Sequence, residues 1–225
     1  MLLAIDTATR YASLALYDTS GILYEQSWRS GNNHTTEIMP AIANMLAQQK
    51  LPPQALTGVA VAQGPGSFTG LRIGMSIAKG LCFALDIAII AIPTLDITAY
   101  AAGDPGGPVI AVLEAGRGRI CVARYHFEDG LPKQEDEIEL IRASEWVVDA
   151  RESVLIAGEV SAELAERLLQ QPGAENLAIS SLAGSVRRAG YLAELAWERL
   201  QNGLVDDLDA SSPIYVQLPG SGATS

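Results

Sequence analysis

The sequence predicts an α/β protein with two related lobes, and three observations lead to this prediction. Short apolar runs alternate along the chain with longer segments of helical periodicity. A segment rich in glycine and proline, residues 103–108, divides the chain into two parts. An apolar strand that ends in an acidic residue and returns through a hairpin opens both parts. One order of elements used twice is typical of an internal duplication with a cleft between the lobes.

The first part predicts the order β-β-β-α-β-α-β-α. Alternating apolar residues and short polar turns predict three opening strands. Apolar residues at helical spacing predict the helices, and apolar runs bounded by glycine or proline predict the later strands. The predicted elements are strands 2–6, 11–17 and 22–28, helix 34–49, strand 58–62, helix 71–85, strand 88–92 and helix 94–102.

The second part repeats the opening hairpin with strands 110–114 and 120–125. Asp6 and Glu114 are 108 residues apart, as are Tyr17 and Tyr125, and this shared offset indicates the duplication. Chance similarity of two strand-hairpin units is the alternative. Strand 154–157, helix 161–170, strand 177–180 and helix 187–200 follow. We expect an amino-terminal lobe of residues 1–103 and a smaller lobe of residues 104–225, with the last helix packing back on the first lobe and residues 219–225 disordered.

Charge and composition narrow the class of protein. The formal net charge of −11 disfavours direct binding to a phosphate backbone, so a partner would have to supply basic surface for any nucleic acid. The first residues lack a basic leader, and the most apolar stretch, residues 80–92, is too short to span a bilayer. We therefore expect a cytoplasmic protein with no membrane contact. Cys82 and Cys121 lie in apolar runs and are expected to be buried free thiols, with a disulfide as the less favoured alternative.

The most distinctive segment is a glycine-rich turn, Gln63-Gly64-Pro65-Gly66-Ser67-Phe68-Thr69-Gly70-Leu71-Arg72-Ile73-Gly74. It joins a predicted strand to a predicted helix, so its backbone N–H groups lie at a helix N-terminus, where an anion is favoured. Ser67 and Thr69 are available to cap that helix. The turn lacks both the Gly-Lys-Ser/Thr ending of a Walker loop and the spacing of a nucleophile elbow.

This turn, the start Leu3-Ala4-Ile5-Asp6-Thr7-Ala8-Thr9 and the segment His34-Thr35-Thr36-Glu37-Ile38-Met39-Pro40 together resemble the TsaB family. Members of that family are bacterial accessory subunits of tRNA threonylcarbamoyladenosine synthesis, formerly grouped with glycoprotease-like proteins. The resemblance covers about the first hundred residues well and the rest only by order and length. It implies a two-lobe actin-like (ASKHA, ribonuclease H-like) fold with duplicated β-β-β-α-β-α topology.

The resemblance also implies a role. Such a chain would be a non-catalytic paralogue that supports the catalytic subunit TsaD, joined by the ATPase TsaE, in transferring threonylcarbamoyl to N6 of an adenosine beside the tRNA anticodon. Contact with tRNA would occur only through the complex, and a homodimer is expected when TsaD is absent. Helices of the first lobe would form the docking face, because small residues four apart permit close helix packing and methionine adapts to partners. Burial within the lobe is the alternative for most of the residues expected there, which are His34, Ile38, Met39, Met45, Phe68, Leu71, Gly74, Met75, Ala78 and Cys82.

Phosphate binding is a second implication of the fold, because the end of its first strand holds phosphate and magnesium in actin-like proteins. A vestigial site would comprise Asp6, Thr7, Gly64, Gly66, Ser67, Thr69 and Gly70. The alternative is that Asp6 only caps a local turn. We expect no cofactor on this chain alone, with ATP or ADP left open for the complex.

A metal site is not expected. The catalytic paralogue has a His-x-x-x-His pair, whereas the corresponding segment, residues 93–99, lacks histidine, and His34 and His126 are the only histidines in the chain. This argues against a metalloprotease. An ATP-dependent small-molecule kinase of the same fold stays open as the rival to the scaffold role, although no convincing catalytic aspartate follows Gly64.

Two departures from the family pattern leave the role of the second lobe open. Glu114-Ala115-Gly116-Arg117 stands where the family usually has Asp-Ala-Arg, and Gln217 stands where an arginine usually follows the closing Pro-x-Tyr.

Overall fold

The computed structural model describes residues 1–31 and 33–216. The strands are β1 Leu2–Asp6, β2 Tyr11–Asp18, β3 Gly21–Arg29, β4 Gly58–Gly64, β5 Ala88–Pro93, β6 Val109–Gly116, β7 Arg119–Glu128, β8 Leu131–Gln134, β9 Glu139–Arg142, β10 Val154–Gly158 and β11 Leu177–Ile179. The helices are α1 His34–Gln48, α2 Phe68–Leu85, α3 Thr94–Ala102, α4 Ala162–Leu169 and α5 Ala189–Gln201, with short 3-10 helices at Pro53–Ala55 and Ala174–Asn176.

The chain divides into two compact units. Among the described residues, the first unit contains residues 1–97 and 187–214, and the second contains residues 98–186 with Tyr215 and Val216. The sequence analysis placed the boundary at residue 103 and expected the last helix to pack back on the first lobe. In the structure α5 lies with the first unit, because it supplies a buried apolar face to the first sheet. The expectation for residues 219–225, and the departure at Gln217, lie outside the described residues.

The first unit is a five-stranded sheet between two helical layers. Its strand order is β3-β2-β1-β4-β5, with β1 antiparallel to β2 and parallel to β4. Leu3 and Ile5 pack with residues of α1 and α2, whereas Leu2 and Ala4 pack with residues of α5. Because both faces of β1 are covered, the strand is a continuous apolar run rather than an alternating one.

The sheet of the second unit has the same strand topology, although β9 lies in the described chain between β8 and β10 where the first unit has the helix α1. The strand order is β11-β10-β6-β7-β8, which matches β5-β4-β1-β2-β3 strand for strand, and β9 also pairs with β7. The predicted α/β class and duplicated topology are therefore confirmed. The sequence analysis missed β8 and β9, because four-residue strands of mixed polarity carry no clear period.

The strand register corrects one detail of the internal match. Tyr17 pairs with the first residue of β1, and Tyr125 pairs with the first residue of β6, so the tyrosines are equivalent. Asp6 is the fifth residue of β1, whereas Glu114 is the sixth residue of β6. The match of Asp6 with Glu114 is thus wrong by one residue, and Leu113 is the equivalent position. Since side chains alternate along a strand, the two carboxylates point to non-equivalent faces of their sheets.

A closed glycine turn and a candidate docking groove

The glycine-rich turn connects β4 to α2 and caps the helix. Ser67 is the N-cap residue, and its Oγ accepts a hydrogen bond of 3.2 Å from the N–H of Gly70. This confirms one of the two predicted caps; α2 begins at Phe68, three residues earlier than predicted. Thr69 lies in the first turn of the helix and faces outward.

Three glycines of this segment permit close packing on the loop after β1. A Cβ at Gly66 would collide with the carbonyl of Ala8, a Cβ at Gly70 with the carbonyl of Thr7, and a Cβ at Gly74 with the Thr7 hydroxyl. Glycine is therefore required by close approach of backbone at Gly66 and Gly70 and of the buried Thr7 side chain at Gly74. The same loop and turn also bind each other directly: Ser67 N–H donates to the Ala8 carbonyl at 2.6 Å, and Thr7 Oγ1 donates to the Gly70 carbonyl at 2.8 Å.

The seven residues expected at a vestigial phosphate site thus lie near one another, but several of their polar groups are already engaged. Gly64 N–H donates to Thr94 Oγ1 at 3.0 Å, which ties the turn to the start of α3. The amides of Ser67 and Gly70 are also taken by protein acceptors. An anion at this turn would compete with these internal bonds.

Asp6 forms a buried ion pair that the sequence analysis did not foresee. Its Oδ2 lies 2.9 Å from Nε of Arg187, and the two side chains are 2% and 3% exposed. Asp6 Oδ1 also accepts a hydrogen bond of 2.9 Å from Ala8 N–H, which is the local turn cap named as the alternative role. Arg187 additionally donates to Thr9 Oγ1 at 3.3 Å. The carboxylate at the end of β1 is therefore neutralised by a guanidinium of the same chain.

His34 lies in the interior of the first unit, and its expected docking role stays a prediction. It is buried, its Nε2 lies 3.0 Å from the Thr9 carbonyl, and its Nδ1 lies 2.7 Å from Ser30 Oγ. Because a carbonyl only accepts, Nε2 is the donor, and in the neutral ring Nδ1 accepts from the serine hydroxyl. The histidine thereby joins the start of α1 to the loop after β1.

Most of the expected docking residues are in the core. Eight of the ten are buried: His34, Ile38, Met45, Leu71, Gly74, Met75, Ala78 and Cys82. These eight residues are buried within the lobe, which was the stated alternative: their apolar faces pack on the sheet, and Gly74 lies close to Thr7 and Val61. A docking role for them stays a prediction. Met39 and Phe68 are the exceptions, at 45% and 54% exposed.

The free surface of α1 and α2 forms an open groove of about 460 Å³. The groove is lined by Thr35, Met39, Phe68, Thr69, Arg72, Ile73, Ser76 and Ile77. The Arg72 guanidinium lies 3.9 Å from the centroid of the Phe68 ring, a cation–π contact that orders both side chains at one end of the groove. Arg72, Ile73 and Ile77 were missed, although Thr69, Ile73 and Ile77 are spaced four apart in a row that flanks the glycine face of α2.

Apolar surface on α2 is extensive. Among the described residues, α2 is the one helix long and apolar enough by composition to cross a membrane, and a third of its 18 residues are buried. Core helices of soluble proteins pass the same test. The helix α2 packs one apolar face on the sheet and also carries exposed apolar side chains such as Phe68 and Phe83.

Neither the cysteines nor the side chains that could bind a metal form a reactive or metal-binding cluster among the described residues. Cys82 and Cys121 are free and buried, as predicted, and burial raises the pKa of each thiol to about 11. Within residues 1–31 and 33–216, His, Cys, Asp and Glu do not gather into a group of three that could hold a metal ion. The absence of a metal in the working protein stays a prediction.

Comparisons with known proteins agree with the family resemblance and with the two-sheet fold. Residues 21–139 match the family model described as TsaD, tRNA N6-adenosine threonylcarbamoyltransferase. A protein of Bacillus subtilis called tRNA threonylcarbamoyladenosine biosynthesis protein TsaB is 32% identical over 65% of this chain and 64% of its own length. The TsaB of Escherichia coli is also 32% identical, over 65% of this chain and 64% of its own. The matches thus span less than two thirds of these curated relatives.

A solved structure extends the similarity over almost the whole chain. YeaZ from Pseudomonas aeruginosa is 26% identical, with a TM-score of 0.79, and the match covers 96% of this chain and 99% of that one. The family model, the relatives and the shared fold lead to one conclusion: the chain belongs to the TsaD family of tRNA threonylcarbamoyladenosine proteins, within its TsaB (YeaZ) group.

Proposed function

We propose that this chain is a non-catalytic subunit that binds a catalytic partner of the TsaD type and supports transfer of threonylcarbamoyl to N6 of an adenosine beside the tRNA anticodon. Family membership and the names of the relatives support the pathway. The observation that carries the proposal is the exposed apolar groove between α1 and α2.

The groove is suited to a helical partner. Its lining combines the apolar side chains of Met39, Phe68, Ile73 and Ile77 with hydroxyl groups and Arg72. An apolar centre with a polar rim is the usual anatomy of a protein interface. A partner helix would bury this surface, and burial of apolar area is the main driving force of association. A second copy of the chain would occupy the same groove when the catalytic partner is absent.

The internal hydrogen bonds of the glycine-rich turn support a role without catalysis. In a phosphate-handling enzyme the acidic residue at the end of the first strand must face its ligand, whereas Asp6 is paired with Arg187 and capped by the Ala8 amide. The turn that would receive phosphate binds the loop after β1 instead. We therefore assign the chemistry to the partner, which leaves this chain without a cofactor of its own and places any ATP or ADP in the assembled complex.

The remaining components follow from the same proposal. An ATPase of the TsaE type would join the pair, and tRNA would reach the chain only within the complex, since the net charge of −11 opposes strong binding of RNA by this chain alone. Modification of tRNA places the complex in the cytoplasm.

Co-purification with the cognate TsaD-type protein tests the docking face. Met39→Glu on α1 and Ile73→Glu on α2 each place a charge in the groove, and each is expected to abolish pairing because an unpaired carboxylate would be buried at the interface. Phe83→Glu is the matched control, since Phe83 is on the same helix, 83% exposed, and not part of the groove lining.

Thermal melting of the three variants completes the test. All three are expected to melt like the unmodified chain, because the substituted side chains are at least partly exposed. If Met39→Glu and Ile73→Glu pair as well as Phe83→Glu does, the groove is not the docking face and the proposal loses its main support.

A further inference from the structure

One sulfur-containing side chain is well exposed to solvent, and it lies in the groove between α1 and α2. The chain has four methionines and two cysteines, all of them among the described residues. Four of these side chains are buried: Met45, Met75, Cys82 and Cys121. Met1 is partly buried against the core of the first unit, whereas Met39 is 45% exposed. Met39 is therefore the sulfur that a dissolved oxidant reaches most readily.

The cysteines do not compete with Met39 for an oxidant. Peroxides attack cysteine in its thiolate form, and burial raises the pKa of both thiols to about 11. At neutral pH both cysteines are consequently neutral as well as shielded from solvent. The thioether of methionine has no proton to lose before it reacts, so access to solvent decides which methionine is oxidised first.

Two buried methionines of the same helices provide an internal reference. Met45 follows Met39 on α1, and Met75 lies on α2. Both belong to the core of the first unit, at 0% and 4% exposure. Met39 instead lines the groove together with Ile73 and Ile77. The three methionines have the same chemistry and similar helical backbones, and they differ in access to solvent and in what they contact.

We propose that Met39 is an oxidation site through which peroxide weakens pairing at the groove. The inference rests on the proposed function, because the groove must be the docking face for the oxidation to affect pairing. A lone pair of the Met39 sulfur attacks one oxygen of hydrogen peroxide, an S–O bond forms, and the O–O bond breaks. The sulfur loses two electrons, the peroxide gains them, and the second oxygen leaves as water after proton transfer.

The product changes the character of the groove. Methionine sulfoxide replaces an apolar sulfur by a polar S–O group that accepts hydrogen bonds. An apolar partner side chain packed on Met39 offers no donor to this oxygen, and burial of an unpaired polar group opposes association. Affinity for the partner is expected to fall by about 10-fold or more. Methionine sulfoxide reductases regenerate the thioether, so the loss is reversible.

Peptide mass spectrometry after brief exposure to hydrogen peroxide tests the site. The full chain is treated alone at neutral pH, and the sulfoxide fraction of each methionine is followed with time. Met39 is expected to be oxidised before Met45 and Met75, because those two are shielded by the core. Equal rates for the three methionines, or oxidation of a cysteine ahead of Met39, would overturn the assignment.

Titration with the TsaD-type partner tests the effect on pairing. Peroxide is removed before untreated partner is added, so that only this chain carries sulfoxide. The unmodified chain is expected to lose about 10-fold or more in affinity and to regain it after incubation with reductases for both sulfoxide epimers. Unchanged affinity of a chain whose Met39 is oxidised would overturn the inference.

Two variants assign the effect to Met39, each compared with itself before and after peroxide. Met39→Leu removes the exposed sulfur, so peroxide is expected to leave the affinity of this variant where it was. Met45→Leu is the matched control on the same helix: it is a volume-conserving change that keeps Met39, and its affinity should fall as far as that of the unmodified chain. An equal loss in Met39→Leu would place the sensitive group elsewhere and overturn the inference.

The outcomes are separable from those for the proposed function. Failure of the proposed function appears before peroxide is added, when the chain does not pair or when Ile73→Glu pairs as well as Phe83→Glu. Failure of the inference alone appears in a chain that pairs through the groove with an affinity that does not depend on oxidation of Met39.

Discussion

Replacement of Arg187 by methionine is expected to destabilise the first unit strongly. Methionine keeps much of the side-chain volume but leaves the carboxylate of Asp6 buried without its counterion, at 2% exposure. Removal of one partner from a buried ion pair costs about 3–5 kcal/mol, because the remaining charge is neither solvated nor paired. The variant also loses the bond of 3.3 Å from Arg187 to Thr9 Oγ1. A loss of this size is a large part of the roughly 5–15 kcal/mol that stabilises an ordinary domain.

Urea denaturation measures the effect. With a slope of about 2–3 kcal/mol per molar urea, the midpoint is expected to fall by about 1–2 M. Arg188→Met is the matched control: Arg188 is the neighbouring residue, half-exposed, and 3.3 Å from Glu25. Such a pair contributes at most about 1 kcal/mol, so this variant should unfold close to the unmodified chain.

A double variant separates charge from packing. In Asp6→Asn, Arg187→Met the side-chain oxygen at position 6 still accepts from the Ala8 amide, but no unpaired charge stays buried. The double variant should therefore recover most of the stability lost in Arg187→Met. If Arg187→Met costs less than about 1 kcal/mol, or if the double variant is no more stable than the single one, the pair is not what holds this loop.

Two further predictions concern glycine and cysteine. Gly74→Ala should lower the free energy of unfolding, because its Cβ would collide with the buried Thr7 hydroxyl. Gly80→Ala in the same helix has open space around the new Cβ and should raise the free energy of unfolding by about 0.5–1 kcal/mol. Urea denaturation measures both variants, and opposite or equal effects would contradict this prediction. The raised pKa values of about 11 mean that Cys82 and Cys121 favour the neutral thiol in the folded state, so their contribution to stability is complete below about pH 9, the ordinary value, and is lost as pH rises towards 11. Both thiols should resist alkylation at pH 8 and react on unfolding, and rapid alkylation of the folded chain would be inconsistent with their burial.

The fold was largely predictable because three strands of the first sheet are buried over most of their length. Such strands are short apolar runs bounded by glycine or proline, and β1, β4 and β5 were placed to within one or two residues. The edge strands β8 and β9 lie at the margin of their sheet and have mixed polarity, so periodicity did not detect them. The helix α5 was predicted, and its packing on the first lobe was expected, although the strands that it contacts are far away in the sequence.

The site was less predictable, for two physical reasons. Which face of α2 meets the sheet is decided by tertiary packing, and α2 is apolar on its outer face as well as its inner one. Small residues such as Gly74 suit either a partner helix or a close internal contact, and here the contact is with Thr7. The pair of Asp6 with Arg187 joins residues 181 positions apart, and no local pattern marks Arg187 as its partner.

The internal hydrogen bonds of the glycine-rich turn and the groove between α1 and α2 both follow from the packing of α2 on the loop after β1. Gly66, Gly70 and Gly74 let the first half of α2 lie against the loop after β1, and that contact fixes how the helix is rotated about its axis. Ile73 and Ile77 each lie three residues after one of these glycines, so with Gly70 and Gly74 turned inward the two isoleucines stand at the flank of α2, half-buried, where they line the groove with Met39. The glycine motif would then be required for presenting the groove even in a protein that binds no phosphate. A substitution that shifts α2 at Gly74 should weaken pairing through the position of the groove, while a substitution in the groove itself should weaken pairing and leave the fold intact.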